Sequence, residues 1–253
     1  MPHQIQTKFS PCKPDRDPSI YPYDTTAPLE EQVRQSIASS LRHFTFTCPP
    51  SSSSPNTEQQ QPYLDSLILH STYPDLPSTV RVWKTLEAYV PHSIRHLGIS
   101  NIDLPLLQAI YAEATVKPAA VQNRLTDSID PLNTLPVPTP VDIFDTQLRH
   151  WCRAHSVRYQ PWGVVWGNDR VRDSAVVGKI ADVLGVSRDV AVYCVVLGLE
   201  EVGCVFIGST REERMRVGIE GLRAWERWVG GAKENSRVWG EWMGRCREEV
   251  GLW

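Results

Sequence analysis

The sequence predicts an α/β fold of parallel strands, on the scale of a (β/α)8 barrel of the TIM type but incomplete. Three observations predict it. Short apolar runs alternate with longer stretches of helical periodicity, the order expected when each strand is followed by a crossover helix. Six such strand candidates can be placed along the chain. The 253 residues match the length of about 250 that an eight-stranded barrel takes, so the strand count falls two short.

The first candidate strand runs from His3 to Phe9, and Ser10 to Pro28 reads as a loop rich in proline and aspartate. Pro28-Leu29-Glu30-Glu31 opens a helix. Proline suits the first turn, and the acids sit at the positive end of the helix dipole. Val33, Ile37 and Leu41 supply its apolar stripe. Residues 48–62 hold Pro49-Pro50, Ser51 to Ser54 and Gln59 to Gln61, a low-complexity stretch that cannot build a core and reads as a surface loop. Tyr63 to His70 has the short, mostly apolar character of a buried parallel strand.

The alternation then repeats. Ser78 to Tyr89 is helical, with Val82, Leu86 and Tyr89 on one face, and Ile94 to Ser100 is a strand. Leu104 to Ala114 is helical and Ala119 to Asn123 a strand; Val141 to His155 is helical and Val157 to Pro161 a strand. Helices follow at Ser174 to Leu184 and Ser187 to Leu199, then a strand at Gly203 to Ile207. Helices from Arg211 to Val229 and from Trp239 to Trp253 close the chain. The whole chain, 1–253, reads as one domain.

Composition excludes several classes. Hydrophobic residues make up 41 % and charged residues 22 %, an ordinary globular mixture. A net charge of −3 argues against a nucleic-acid partner, which selects a basic excess. No apolar run reaches the roughly 18 residues of a membrane span, and Met1-Pro2-His3-Gln4 does not begin a signal peptide. The six cysteines are scattered, with no C-x-x-C pair. A cytoplasmic, reducing location is the expectation.

In a barrel, function sits at the carboxyl ends of the strands. Here those ends carry Lys8, His70, Ser100-Asn101, Gln122-Asn123, Gln160 and Gly208-Ser209-Thr210. The runs around them are Tyr63-Leu64-Asp65-Ser66-Leu67-Ile68-Leu69-His70, Trp83-Lys84-Thr85-Leu86-Glu87, Ile94-Arg95-His96-Leu97-Gly98-Ile99-Ser100-Asn101, Lys117-Pro118-Ala119-Ala120-Val121-Gln122-Asn123 and Ile207-Gly208-Ser209-Thr210-Arg211-Glu212-Glu213-Arg214. In that order and spacing the chain resembles the aldo-keto reductase superfamily, and especially its fungal members, over most of its length.

The resemblance implies a (β/α)8 barrel that reduces an aldehyde or ketone with NADP(H), in fungal secondary metabolism. The family uses an Asp, Tyr, Lys and His tetrad, in which Tyr is the general acid. Lys8 matches the lysine that lowers the tyrosine pKa, and His70 the histidine that orients the carbonyl. No Asp-x-x-x-x-Tyr element precedes Lys8, so the chain is read as an N-terminally truncated member that starts at the family's third strand. Ser100, Asn101 and Asn123 match residues that bind the nicotinamide carboxamide, and Gln160 stands where a residue stacks on the ring, with Trp162 close by. Ser209 and Thr210 face the adenosine phosphate, and Arg214 matches an arginine near the adenine and 2′-phosphate.

Each of these residues also has a plain reading. Lys8 alone is a solvated strand-end lysine, His70 a hydrogen-bonded barrel-end histidine, and Ser209-Thr210 a helix cap. His92 and His96 are four apart, but the strand at Ile94 keeps them off one helix, and no metal is expected. Trp225, Trp228, Trp239 and Trp242 read as packing for the C-terminal helices, and Trp166 as a pocket residue. Two functions compete with the reductase. One is a non-redox cyclase, isomerase or dehydratase built on the Lys/His pocket. The other is an inactive remnant, whose open sheet edges would favour self-association.

Overall fold

The computed structural model describes residues 4–44, 62–126 and 143–251. Positions 48–61 of the low-complexity loop, His3, the loop up to Pro140, Val141 and the last two residues lie outside the described residues. The chain divides into two compact units, Met1–Val121 and Gln122–Trp253.

In the first unit, β1 (Gln6–Phe9), β2 (Leu64–Leu69) and β3 (Ile94–Ser100) pair in parallel, with Phe9 beside Leu69 and Leu69 beside Ile99. Among the described residues of this unit β1 pairs only with β2, so the sheet is open there. Next to β3 comes β4 (Ala120–Gln122), led in by Ala119 N donating to Leu97 O at 2.8 Å. Phe9, Ile68, Leu69, Leu97 and Ile99 are fully buried. At Gly98 a Cβ would stand 2.4 Å from Ile68 Cδ1 and 2.9 Å from the carbonyl oxygen of Ala120, so only glycine lets these strands approach.

Three helices cover this sheet: α1 (Leu29–His43), α2 (Leu76–Glu87) and α3 (Leu104–Glu113). Asp75 caps α2 by accepting from Ser78 N at 2.7 Å, which moves its start ahead of the expected Ser78. Asp103 caps α3 in the same way through Leu106 N at 2.9 Å. Trp83 of α2 is buried, and its Nε1 donates to Val116 O at 3.0 Å. An ion pair between Arg81 and Glu30 joins α2 to α1.

The second unit holds β5 (Arg158–Tyr159) and six helices among its described residues. These are α4 (Thr146–Ala154), α5 (Asp169–Arg172), α6 (Ala175–Leu184), α7 (Arg188–Leu197), α8 (Glu212–Gly231) and α9 (Lys233–Val250). Ser174 and Ser187 cap α6 and α7, each accepting from the amide three residues on at 3.3 Å.

Three expectations change here. Gly203 to Ile207 is not a strand, so the described residues hold five strands and not six. That segment meets β5 through a bridge between Tyr159 and Val202 and through Gly203 N to Tyr159 O at 3.1 Å, and Pro161 has no N–H with which to extend the ladder. The helix expected from Val141 begins at Thr146, because Phe144 (φ 57°) and Asp145 (φ 51°) are both left-handed and no helix runs through them. The last helix begins at Lys233, well before Trp239. Stacking of Trp228 on Trp242 (5.2 Å) and contact of Trp225 with Trp239 (5.4 Å) pack α9 on α8.

A buried ion pair lies behind α4. Arg149, with no exposed surface, donates from Nε to Phe144 O at 2.9 Å and lies 3.3 Å from Glu201 Oε2 through Nη1. Glu201 Oε1 is 3.6 Å from His150 Nε2. Among the described residues no helix is long and apolar enough to cross a membrane.

Candidate functional site

The first unit gathers the Lys8 and His70 candidates. Lys8 lies in β1, and His70 is the first residue after β2. The ladder sets the spacing, because His70 N donates to Phe9 O at 2.8 Å. Ser10, the first residue after β1, therefore stands beside His70, and its Oγ is 2.7 Å from His70 Nδ1. Asn101, just past β3, donates from Nδ2 to His70 O at 2.7 Å. Asn101 is left-handed (φ 57°), a conformation asparagine tolerates better than most residues. Its neighbour Ser100 is fully buried.

The electrostatics of this cluster favour a neutral ring. Burial holds His70 below its ordinary value, and the charges of Lys8 and Lys13 push in the same direction. Burial likewise lowers Lys8. Two phenols belong to the same surroundings. Tyr23 OH donates to Ser10 O at 2.7 Å, and burial raises its pKa well above the ordinary range. Burial, followed by the influence of Cys12, pushes Tyr73 up to about 12. Both keep their protons at neutral pH.

In the second unit the strand pleat separates two amides. Successive strand residues point to opposite faces. Gln122 Nε2 donates to Gln160 Oε1 at 3.2 Å. Asn123 Nδ2 donates the other way, to Asp145 Oδ2 at 2.8 Å, and Tyr159 OH donates to that same oxygen at 2.8 Å. Tyr159 is fully buried, and burial, then the Asp145 charge, holds its phenol well above the ordinary range. Burial and the same carboxylate push Cys152 of α4 up to about 12.

Asn123 thus binds Asp145 at the start of α4, and the amide on the opposite face is that of Gln122. Gln160 pairs with Gln122 and presents no ring for stacking. Trp166, expected in a pocket, is 62 % exposed and covers the Arg124 guanidinium at 4.2 Å. Trp162 is 6.0 Å from the same group.

Ser209 and Thr210 do not cap α8. Its first flanking residue is Arg211, and no side chain caps it. Ser209 Oγ instead accepts from Arg211 N at 3.1 Å. Glu212 and Glu213 occupy the first turn of α8, and Arg214 is exposed one residue on. Among the described residues no group of three or more His, Cys, Asp or Glu is placed to hold a metal.

Sequence reasoning singles out neither Ser10 nor the Asp145–Tyr159 pair, and names Gln122 only as a strand-end residue. The strand period was a usable signal for Gln122, since it fixes which of two adjacent amides shares a face with Gln160. Nothing local marks Asp145, whose role depends on a left-handed turn.

No family model matches the chain. Among curated proteins, deoxymugineic acid synthase 1-D of Triticum aestivum is 25 % identical over 189 residues, 66 % of this chain and 55 % of that protein. The (1S)-1,7-diacetoxy-luvungin A aldo-keto reductase of Citrus sinensis is 26 % identical over 174 residues, 64 % of this chain and 49 % of that protein. The chain thus spans about half the length of the curated relatives it matches. Among solved structures, an aldo/keto reductase from Klebsiella pneumoniae, in complex with NADP and acetate, superposes with a TM-score of 0.60 at 16 % identity, covering 97 % of this chain and 70 % of that one. A thermostable aldo-keto reductase with the inhibitor epalrestat gives 0.59 at 14 % identity, covering 94 % and 70 %. These structures share the fold, an α/β architecture of parallel strands consistent with an incomplete (β/α)8 barrel.

Proposed function

As this chain is a relative of the aldo-keto reductase superfamily in sequence and in fold, we propose that it is an NADP(H)-dependent oxidoreductase that reduces an aldehyde or ketone. One observation carries the proposal. Lys8, His70 and Asn101 lie at or beside the carboxyl ends of three neighbouring parallel strands, the end at which barrel enzymes work, with Asn101 bonded to the His70 carbonyl and the Lys8 charge acting on the His70 ring. NADP and NADPH in neighbouring solved structures support the choice of cofactor. The Citrus relative, named as an aldo-keto reductase, supports carbonyl reduction, and a place in secondary metabolism is part of the same proposal.

Donor types that such a cofactor takes occur in each unit taken by itself. The first holds the Ser100 hydroxyl and the Asn101 amide, and the second the amides of Gln122 and Gln160. Arg211 and Arg214 are the cations for phosphate groups near the start of α8, where Glu212 and Glu213 oppose them. Bound, the reduced nicotinamide supplies a hydride. His70 orients the carbonyl as a neutral donor, Lys8 and Lys13 stabilise negative charge developing on its oxygen, and Asn101 fixes the His70 backbone. The oxygen then takes up a proton, and the protonated phenols of Tyr23 and Tyr73, in the same surroundings, are the candidate acids.

A second reading rests on the short Ser10–His70 contact. Together with Lys8 it is an acid–base pair suited to a non-redox isomerase or dehydratase. An NADPH titration followed by tryptophan quenching tests the first reading. Saturable binding that Arg214→Ala weakens supports it; absence of quenching from folded protein sinks it, and turnover without nicotinamide favours the second.

A further inference from the structure

We infer that Ser10 is a positioning residue that locks the His70 imidazole in its Nε2–H tautomer, so that Nε2 presents a hydrogen-bond donor to the reacting carbonyl. The carbonyl part of this inference rests on the reductase reading; the tautomer does not.

The argument starts from the backbone. Ser10 and His70 each follow the last residue of a strand, and those last residues, Phe9 and Leu69, are register partners. His70 N bonds to Phe9 O, Tyr23 OH bonds to Ser10 O, and Asn101 Nδ2 bonds to His70 O. Both members of the pair are thereby held at their main chains, and the 2.7 Å between Oγ and Nδ1 follows from a fixed frame. That separation is typical of a strong hydrogen bond with a hydroxyl donor.

The direction of the bond follows from counting protons and from its length. A neutral imidazole carries one N–H, on Nδ1 or on Nε2. Lys8 and Lys13 disfavour the doubly protonated ring. An N–H donor on Nδ1 would favour a separation of about 2.9–3.0 Å, whereas a hydroxyl donor favours about 2.7–2.8 Å. The contact measures 2.7 Å. The Ser10 proton therefore points at Nδ1, and the ring proton is on Nε2. A nitrogen without that proton would repel a carbonyl oxygen, so the tautomer decides whether His70 can orient substrate at all.

The test is the two-bond ¹H–¹⁵N spectrum of the His70 ring in the full chain at neutral pH. The wild type is expected to show the Nε2–H tautomer, Ser10→Ala a mixture, and Ser10→Thr, which keeps the hydroxyl, the wild-type pattern. Turnover of a carbonyl substrate should fall by about tenfold in Ser10→Ala at unchanged NADPH affinity, and recover in Ser10→Thr. An Nδ1–H signature in the wild type, or a Ser10→Ala ring identical to it, overturns the inference. A chain with the expected tautomer and no carbonyl reduction would overturn the reductase reading instead.

Discussion

Asn101 donates from its side-chain amide to the backbone carbonyl of His70 across 2.7 Å, fastening the end of β3 to the end of β2. The residue proposed for the cofactor thus holds in place the residue proposed for the substrate. Two variants separate its roles. Asn101→Gly loses the bond but keeps the left-handed backbone, whereas Asn101→Ala loses both. Each is expected to weaken NADPH binding by about tenfold. The alanine variant should be less stable than the glycine variant by about 1 kcal/mol in urea unfolding. Wild-type NADPH affinity in both would remove Asn101 from the site.

Gly98→Ala places a methyl against Ile68 Cδ1 and the Ala120 carbonyl oxygen. The expected cost is about 1–3 kcal/mol of unfolding free energy. Adding Ile68→Val removes the Cδ1 clash and should recover part of the loss. The remainder should persist, since the carbonyl belongs to the backbone. Full stability of the single variant would show that β3 can shift.

Arg149→Met leaves Glu201 buried without its guanidinium partner. A loss of about 3–5 kcal/mol is expected. The double variant Arg149→Met/Glu201→Leu should restore more than half of it, because no charge is then left in the core. Chemical denaturation at one pH reads both outcomes, and an additive double variant would deny the coupling.

His70 also sets a pH dependence. Its folded pKa lies below the ordinary 6.5, so the unfolded chain binds more protons in the window beneath that value. Stability contributed by this residue is level above about 6.5 and declines as pH falls toward the folded pKa. Thermal midpoints measured from pH 7.5 down to pH 5 should fall, and His70→Gln should flatten that slope. A slope unchanged in the variant would assign it to other groups.

Much of the fold was legible. Strand β3 falls where the apolar run Ile94 to Ser100 places it, and α3 falls within the helical stretch Leu104 to Ala114. What failed depended on partners. Gly203 to Ile207 has a strand-like composition, but its neighbour β5 stops at a proline. Val141 to His155 has a helical stripe, but two left-handed residues interrupt it. The site divides in the same way. Lys8 and His70 are candidates from their strand-end positions and the family pattern, whereas Ser10 becomes visible only once parallel pairing lays β1 beside β2. The family pattern points to Asn123, whereas which of Gln122 and Asn123 faces Gln160 is a property of register and not of residue type.

That pair of amides carries one more consequence. Gln122 and Asn123 stand back to back, and a slip of one residue would exchange them. The two groups are the same in kind, so polarity alone would accept the swap. Length does not. Asp145 Oδ2 receives Tyr159 and the shorter Asn123 arm, each at 2.8 Å, while Gln122 spans to Gln160 with the longer one. One methylene group thus proofreads the alignment of this strand end.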